Sequence, residues 1–162
     1  TVFHRRERDG IDFVRRSAGD LWRATNFQHL TFTGVEASVT ANPGRAQVLE
    51  VQYTGLHGAQ DALTGFQSKY AFNYPIHSGI VSWQASLPGG IAARARLGAL
   101  ERYARDPYAL LDLYAAGTRG KLHPFIQLSN VSDTVYEEIF GVRMPGRSLL
   151  VGVEWKVFTL VK

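Results

Sequence analysis

The chain has 162 residues and a mass of 18.0 kDa, the size of one domain, and no stretch approaches the roughly 18 to 20 consecutive apolar residues of a spanning helix. It has no cysteine, so disulfides, thiolate zinc clusters and thiol nucleophiles are excluded. The formal charge of +4 comes from dispersed residues (Arg5, Arg6 and Arg8, then Arg94, Arg96, Arg102 and Arg105) with no basic helix or aromatic RNA-binding motif, so nucleic acid is not an expected partner.

The first residues, Thr1 to Arg5, already read as a strand, so an export signal is expected upstream. Arg8-Asp9-Gly10 predicts a tight turn, and Ser17 to His29 a long loop. Val35, Ala37 and Val39 then alternate with Gly34, Glu36 and Ser38, a half-apolar strand. After a turn predicted at Asn42-Pro43-Gly44-Arg45, Leu49, Val51 and Tyr53 alternate with Glu50, Gln52 and Thr54. A second long loop is predicted from Gly55 to Ile76. Val81, Trp83, Ala85 and Leu87 form the apolar side of the next strand, followed by the turn Leu87-Pro88-Gly89-Gly90. Ile91, Ala93, Ala95, Leu97 and Ala99 alternate with Ala92, Arg94, Arg96 and Gly98 before a loop from Glu101 to Pro107. Leu111 and Leu113 flank Asp112, and Gly117-Thr118-Arg119-Gly120 marks another turn. A loop from Ser129 to Arg147 precedes the last strand, where Leu149, Val151, Val153, Trp155 and Val157 face one way and Leu150, Gly152, Glu154 and Lys156 the other.

These elements predict an all-β chain of about nine meandering antiparallel strands, each of roughly ten residues. Short turns alternate with long loops, the pattern of an outer-membrane barrel with periplasmic turns and extracellular loops. Aromatic residues gather near strand ends (Trp22, Phe27, Tyr70, Phe72, Tyr74, Tyr103, Tyr108, Tyr136, Phe158), where such a barrel has its interfacial girdles, whereas a soluble β-sandwich or lipocalin-like barrel buries them centrally. On this phase Glu36, Glu50, Asp112 and Glu154 share the lumen side with Arg94, Arg96, His123 and Lys156, a salt-bridged and hydrated wall. No catalytic pairing and no metal-ligand spacing is present, and His4, His29, His57, His77 and His123 are dispersed. The expectation is a protein without enzymatic activity, cofactor or bound metal.

The stretch Asn130-Val131-Ser132-Asp133-Thr134-Val135-Tyr136, then Met144-Pro145-Gly146-Arg147 and a strand ending in Phe158, resembles the C-terminus of TonB-dependent outer-membrane receptors, with Val131 where the family has Leu. Trp22 and Asn26 leading into Thr33-Gly34-Val35-Glu36, and Tyr70 with Tyr74-Pro75 and His77, are similar to the same family's late barrel in order and spacing. The resemblance implies that residues 1–158 are the C-terminal portion of a 22-stranded transmembrane barrel, with 159–162 as a C-terminal overrun or tail. It implies active transport of a scarce nutrient such as a ferric siderophore or cobalamin. The implied partners are outer-membrane lipid and lipopolysaccharide, the remaining strands, the plug domain, TonB through a missing N-terminal region, and a small-molecule or metal-chelate substrate. Substrate contact is expected on the long loops, at Trp22, Arg23, Phe66, Lys69, Tyr70, Tyr103, Arg105, Tyr136 and Phe140, where rings stack and cations neutralise an anionic chelate. Asn130, Asp133, Tyr136, Pro145, Gly146 and Arg147 are expected to fix loop conformation, and Phe158 to end the barrel-assembly signal. The alternative class is a non-transporting barrel or adhesion-type scaffold with exposed loops.

Overall fold

The computed structural model describes residues 1–60, 65–70, 74–103, 105–139 and 141–157. Eleven strands follow one another: β1 (Val2–Arg15), β2 (Arg23–Gly44), β3 (Gln47–Gln60), β4 (Gln67–Ser68), β5 (Pro75–Leu87), β6 (Ile91–Arg102), β7 (Tyr108–Gly117), β8 (Leu122–Ser129), β9 (Glu137–Ile139), β10 (Val142–Arg143) and β11 (Ser148–Trp155). The described residues contain no helix. Nine strands form one sheet in the order β11-β8-β7-β6-β5-β3-β2-β1-β4, and every pairing in it is antiparallel. Among the described residues the sheet is open: β11 has β8 alone as neighbour, and β4 covers β1 only at Val14 and Arg15.

Period-two alternation survives because the register holds along the length of the paired runs and shifts by one near strand ends, between Ala41 and Gly44 and between Pro75 and His77. The row Val39, Val51, Val81, Leu97, Leu111 runs straight across β2, β3, β5, β6 and β7. The row Ala41, Leu49, Trp83, Ala95, Leu113, Leu128, Leu149 extends the same face to β8 and β11. That face is apolar and uncovered: Val151, Val153 and Trp155 of β11 are 66%, 61% and 67% exposed. The opposite face carries Glu50, Ser82, Arg96 and Asp112 in one row, with Arg94 beside Tyr114 in the next. Glu154 stands opposite His123 on that same face. Glu36, Glu50, Asp112, Glu154, Arg94, Arg96 and His123 therefore share one side, and Lys156 follows the end of β11. Few side chains are buried, chiefly Val14, Leu30, Tyr74 and Ala85. A single layer has no second layer to pack against.

Turn chemistry explains the rims. Pro88, Gly89 (φ 87°) and Gly90 (φ 77°) connect β5 to β6 with Leu87 opposite Ile91, and Gly120 (φ 77°) turns β7 into β8. With the turn between β2 and β3, these lie on one rim, and the described parts of the connections from β1 to β2, β3 to β5, β6 to β7 and β8 to β11 lie on the other.

Three expectations need correction. Arg8-Asp9-Gly10 is no turn: Asp9 takes a positive φ of 55° inside β1, which keeps one register with β2 from Val2↔Val35 to Val14↔Arg23. Twelve pairings hold the strand straight against one locally turn-prone dipeptide. The β2–β3 turn falls on Arg45 and Ala46, and Asn42-Pro43 instead sits at an irregularity between Ala41 and Gly44, where a missing N–H is tolerated. The first two long loops are shorter than predicted, because β2 begins at Arg23 and β3 runs to Gln60. The eight long strands accordingly range from 22 residues in β2 to 8 in β8 and β11, not a uniform ten, and β4, β9 and β10 have only two or three.

Candidate functional site

The long-loop rim gathers the aromatic and cationic residues into three clusters. At the top of β1, the Arg15 guanidinium lies 4.4 Å from the Trp22 ring centroid and Arg16 lies 5.3 Å from that of Phe66. Lys69 Nζ stands 5.2 Å from the Tyr70 ring and 5.8 Å from Phe13. A groove of about 490 Å³ opens here, lined by Arg15, Arg16, Arg23, Asp20, Leu21 and Phe66 among others. Arg15 is held in place as Nε donates to Gln67 Oε1 (3.0 Å) and Nη1 to the Ala18 carbonyl (2.9 Å). Three guanidinium groups around one groove make it electropositive, with Asp20 the opposing charge; Asp20 accepts from the Ser17 N–H at 2.9 Å.

Asp12 anchors this cluster. It is 2% exposed, and its carboxylate accepts from the Phe13 N–H (2.6 Å), the Tyr70 N–H (3.2 Å) and the Ser68 hydroxyl. A buried carboxylate is tolerated only when its lone pairs are filled in this way. Segment 65–70 is thus tied to β1, with the Lys69 N–H donating to the Phe13 carbonyl at 2.9 Å. Asp12 was not among the expected site residues, although a carboxylate inside Ile11-Asp12-Phe13-Val14 is a visible break in an apolar run.

The second cluster fills the edge of β3 above the point where β5 stops pairing, at Gly55↔His77. Tyr74 lies there: its hydroxyl accepts from the Gly58 N–H (2.9 Å), and its ring meets Phe32 edge-on at 5.2 Å and stacks on Tyr103 at 5.8 Å. Gly58 is required, because a Cβ would fall 2.7 Å from the Tyr74 oxygen. Burial raises the Tyr74 pKa above its ordinary value of 10.0; the Gly58 hydrogen bond opposes the shift and the Tyr103 hydroxyl adds to it.

The third cluster is the connection 130–147. Asn130 is 4% exposed and holds a positive φ of 49°. Its amide N–H donates to Asp112 Oδ1 (2.9 Å), its Oδ1 accepts from the Thr134 N–H (2.9 Å) and its Nδ2 donates to the Thr134 carbonyl (2.9 Å). Asp133 (φ 56°) accepts from the Arg147 N–H at 2.8 Å, and Gly146 passes so close that a Cβ would stand 2.7 Å from Asp133 Oδ1. The Pro145 carbonyl lies 3.5 Å from Asn130 Nδ2. Tyr136 packs on Tyr108 at 4.9 Å, and burial, followed by the nearby Glu138 carboxylate, raises its pKa. Arg105 donates to the Glu137 carbonyl at 3.1 Å, with the Glu137 carboxylate 4.0 Å away.

Of the expected contact residues, Trp22, Arg23, Phe66, Lys69 and Tyr70 therefore come together, while Tyr103 joins Tyr74, and Arg105 and Tyr136 belong to the third cluster. Phe140 and Phe158 lie outside the described residues. Five inter-strand steps separate β1 from β7, about 24 Å along the sheet, so the outer clusters do not share a pocket. On the polar face Arg96 and Asp112 are 3.8 Å apart and half exposed, an ion pair of small energetic weight. Among the described residues no group of three or more His, Asp or Glu is arranged to hold a metal ion.

Fold and rim together define an open, two-faced antiparallel β-sheet with one apolar face, one charged face and one elaborated rim. No protein-family model matches the chain, and comparison with curated proteins and with solved structures yields no match either.

Proposed function

We propose that the chain is the C-terminal part of a TonB-dependent outer-membrane receptor barrel, working in active uptake of a scarce nutrient such as a ferric siderophore or cobalamin. The observation that carries the reading is the uncovered apolar face, continuous from β2 to β11, opposite a charged face and between a short-turn rim and a long-loop rim. In a barrel wall the first face meets lipid, the second the lumen, and the long-loop rim the outside. The order of the sequence motifs from Trp22 to Arg147 supports the family. Unpaired backbone groups on the edges of β1 and β11 cost several kcal/mol each in lipid, so further barrel strands complete the wall there. On this reading the electropositive groove of Arg15, Arg16 and Arg23, with Trp22 and Phe66 beside it, receives an anionic chelate at the mouth.

Paired arginine substitutions test the membrane assignment. Leu97→Arg lies mid-row on the apolar face and should cost about 2–4 kcal/mol of folded stability in lipid, whereas Ser82→Arg on the charged face should cost about 0–1 kcal/mol. Stability is read by urea titration in vesicles. A chain that folds as a monodisperse species in water without detergent, or equal effects of the two substitutions, refutes the reading.

A further inference from the structure

The outer edge of β1, turned away from β2, has two parts. From Val2 to Arg8 no strand pairs with it among the described residues, and Arg5, Arg6, Glu7, Arg8 and Asp9 follow one another there as an unbroken run of charges. From Phe13 to Arg15 the segment 65–70 lies along it: Val14 pairs with Ser68, Arg15 with Gln67, and the Lys69 N–H donates to the Phe13 carbonyl at 2.9 Å. Side chains join the same two pieces. Arg15 Nε donates to Gln67 Oε1, and the buried Asp12 carboxylate accepts from the Ser68 hydroxyl and the Tyr70 N–H.

The direction of backbone hydrogen bonding reverses between the two parts. The Thr1 carbonyl points at β2 and accepts from the Glu36 N–H at 2.8 Å, whereas the Phe13 carbonyl points outward to Lys69. In a regular strand, residues an even number apart turn their backbone groups to the same edge, so the phase of β1 inverts between Thr1 and Phe13. Asp9 supplies the inversion: it has a left-handed φ of 55° and is the one residue from Val2 to Val14 missing from the ladder with β2.

We infer that Asp9 and the segment 65–70 form a built-in stop for strand addition to β1, so that a neighbouring strand pairs with Val2–Arg8 and ends there. The inference goes beyond the membrane reading and does not depend on it, since any strand added to this edge meets the same two obstacles. A ladder in phase with Val2–Arg8 is out of phase above Asp9. A strand that displaced the segment would also take the Ser68 hydroxyl and the Tyr70 N–H from Asp12, leaving a buried charge short of donors. Charges, local kinks and covering loops are the devices that limit pairing at sheet edges, and all three meet here. The stop keeps the groove of Arg15, Arg16 and Arg23 clear of the added strand, with Phe66 of the same segment in its lining.

Disulfide trapping in the complete protein, this chain together with the strands that finish its sheet, tests the inference, and the chain has no native cysteine to interfere. Val14 and Ser68 stand directly opposite each other, so Val14→Cys/Ser68→Cys should cross-link on mild oxidation. The control Arg8→Cys/Ser68→Cys places one thiol about 20 Å further down the strand and should not. The yield for the first pair should exceed the control by about tenfold or more, and the cross-linked protein should resist trypsin as well as its reduced form does. Hydrogen exchange then shows where pairing begins: the His4, Arg6 and Arg8 amides, which point outward, should exchange at least about tenfold slower than the exposed Gly19 amide. Equal cross-linking in the two pairs, or trypsin resistance lost on cross-linking, means that an added strand takes the place of the segment and overturns the stop. Exchange at His4, Arg6 and Arg8 as fast as at Gly19 overturns it as well, because no strand is then added below Asp9. Folding in water without detergent refutes the membrane reading alone, since cross-linking is read in either solvent.

Discussion

Replacing Asn130 by Ala should open the connection 130–147 while leaving the sheet paired. The side chain makes two hydrogen bonds of 2.9 Å to Thr134, each about 1 kcal/mol net, and it is buried, so nothing replaces them. Its φ of 49° costs an alanine about 1 kcal/mol more, because asparagine tolerates the left-handed region through local polar bonding. The total of about 3 kcal/mol raises the population of the open connection about a hundredfold. Asn130→Gly removes the bonds but fits the backbone, so about 2 kcal/mol and a rise of about thirtyfold are expected. Arg143 and Arg147 lie inside the segment and supply the readout: limited trypsin digestion, with the rate of cleavage at these two bonds followed by mass spectrometry under conditions where cleavage tracks the open population. Rates for Asn130→Ala within a factor of two of the native chain, or Asn130→Gly cleaved faster than Asn130→Ala, would refute the latch.

Asp12→Ala should release segment 65–70, since three donors lose their acceptor; hydrogen exchange at the Tyr70 amide should quicken by at least tenfold, at about 1.5 kcal/mol or more per charged hydrogen bond. Gly58→Ala should expel the Tyr74 ring from the β3 edge, and ultraviolet titration should then show Tyr74 ionising nearer its ordinary value of 10.0. In the native chain Tyr74 and Tyr136 both bind their protons more tightly folded than unfolded, so the stability they contribute is complete below about pH 10 and is lost as pH rises through their folded values. Denaturant midpoints measured from pH 9 to 12 check this, and a midpoint that rises with pH contradicts it.

Sequence alternation located the two faces because a period of two is preserved wherever register is preserved, and the paired runs of β2 to β8 keep it. The glycine-rich turns at Pro88-Gly89-Gly90 and before Leu122 were readable for the same local reason: positive φ demands glycine there. Arg45-Ala46 carries no such signal, and Asp9-Gly10 carries one that twelve cross-strand pairings override. At the rim, the rings and cations were legible as a set, but their grouping was not. Asp12 meets Ser68 across 56 residues, and Tyr74 meets Gly58 only because β5 stops short of the β3 end. Such contacts depend on how loops close over strand ends, for which no periodicity exists.

The strand order bears on how the sheet is made. The eight long strands lie side by side in their chain order, so none of them has to find a distant partner; only the two-residue β4, on β1, pairs across a long stretch of chain. Contact order is correspondingly low for a β protein, and the entropy of closing each hairpin is spent in small instalments. The sheet can grow by one hairpin at a time, presenting a single unfinished strand to its surroundings at each stage.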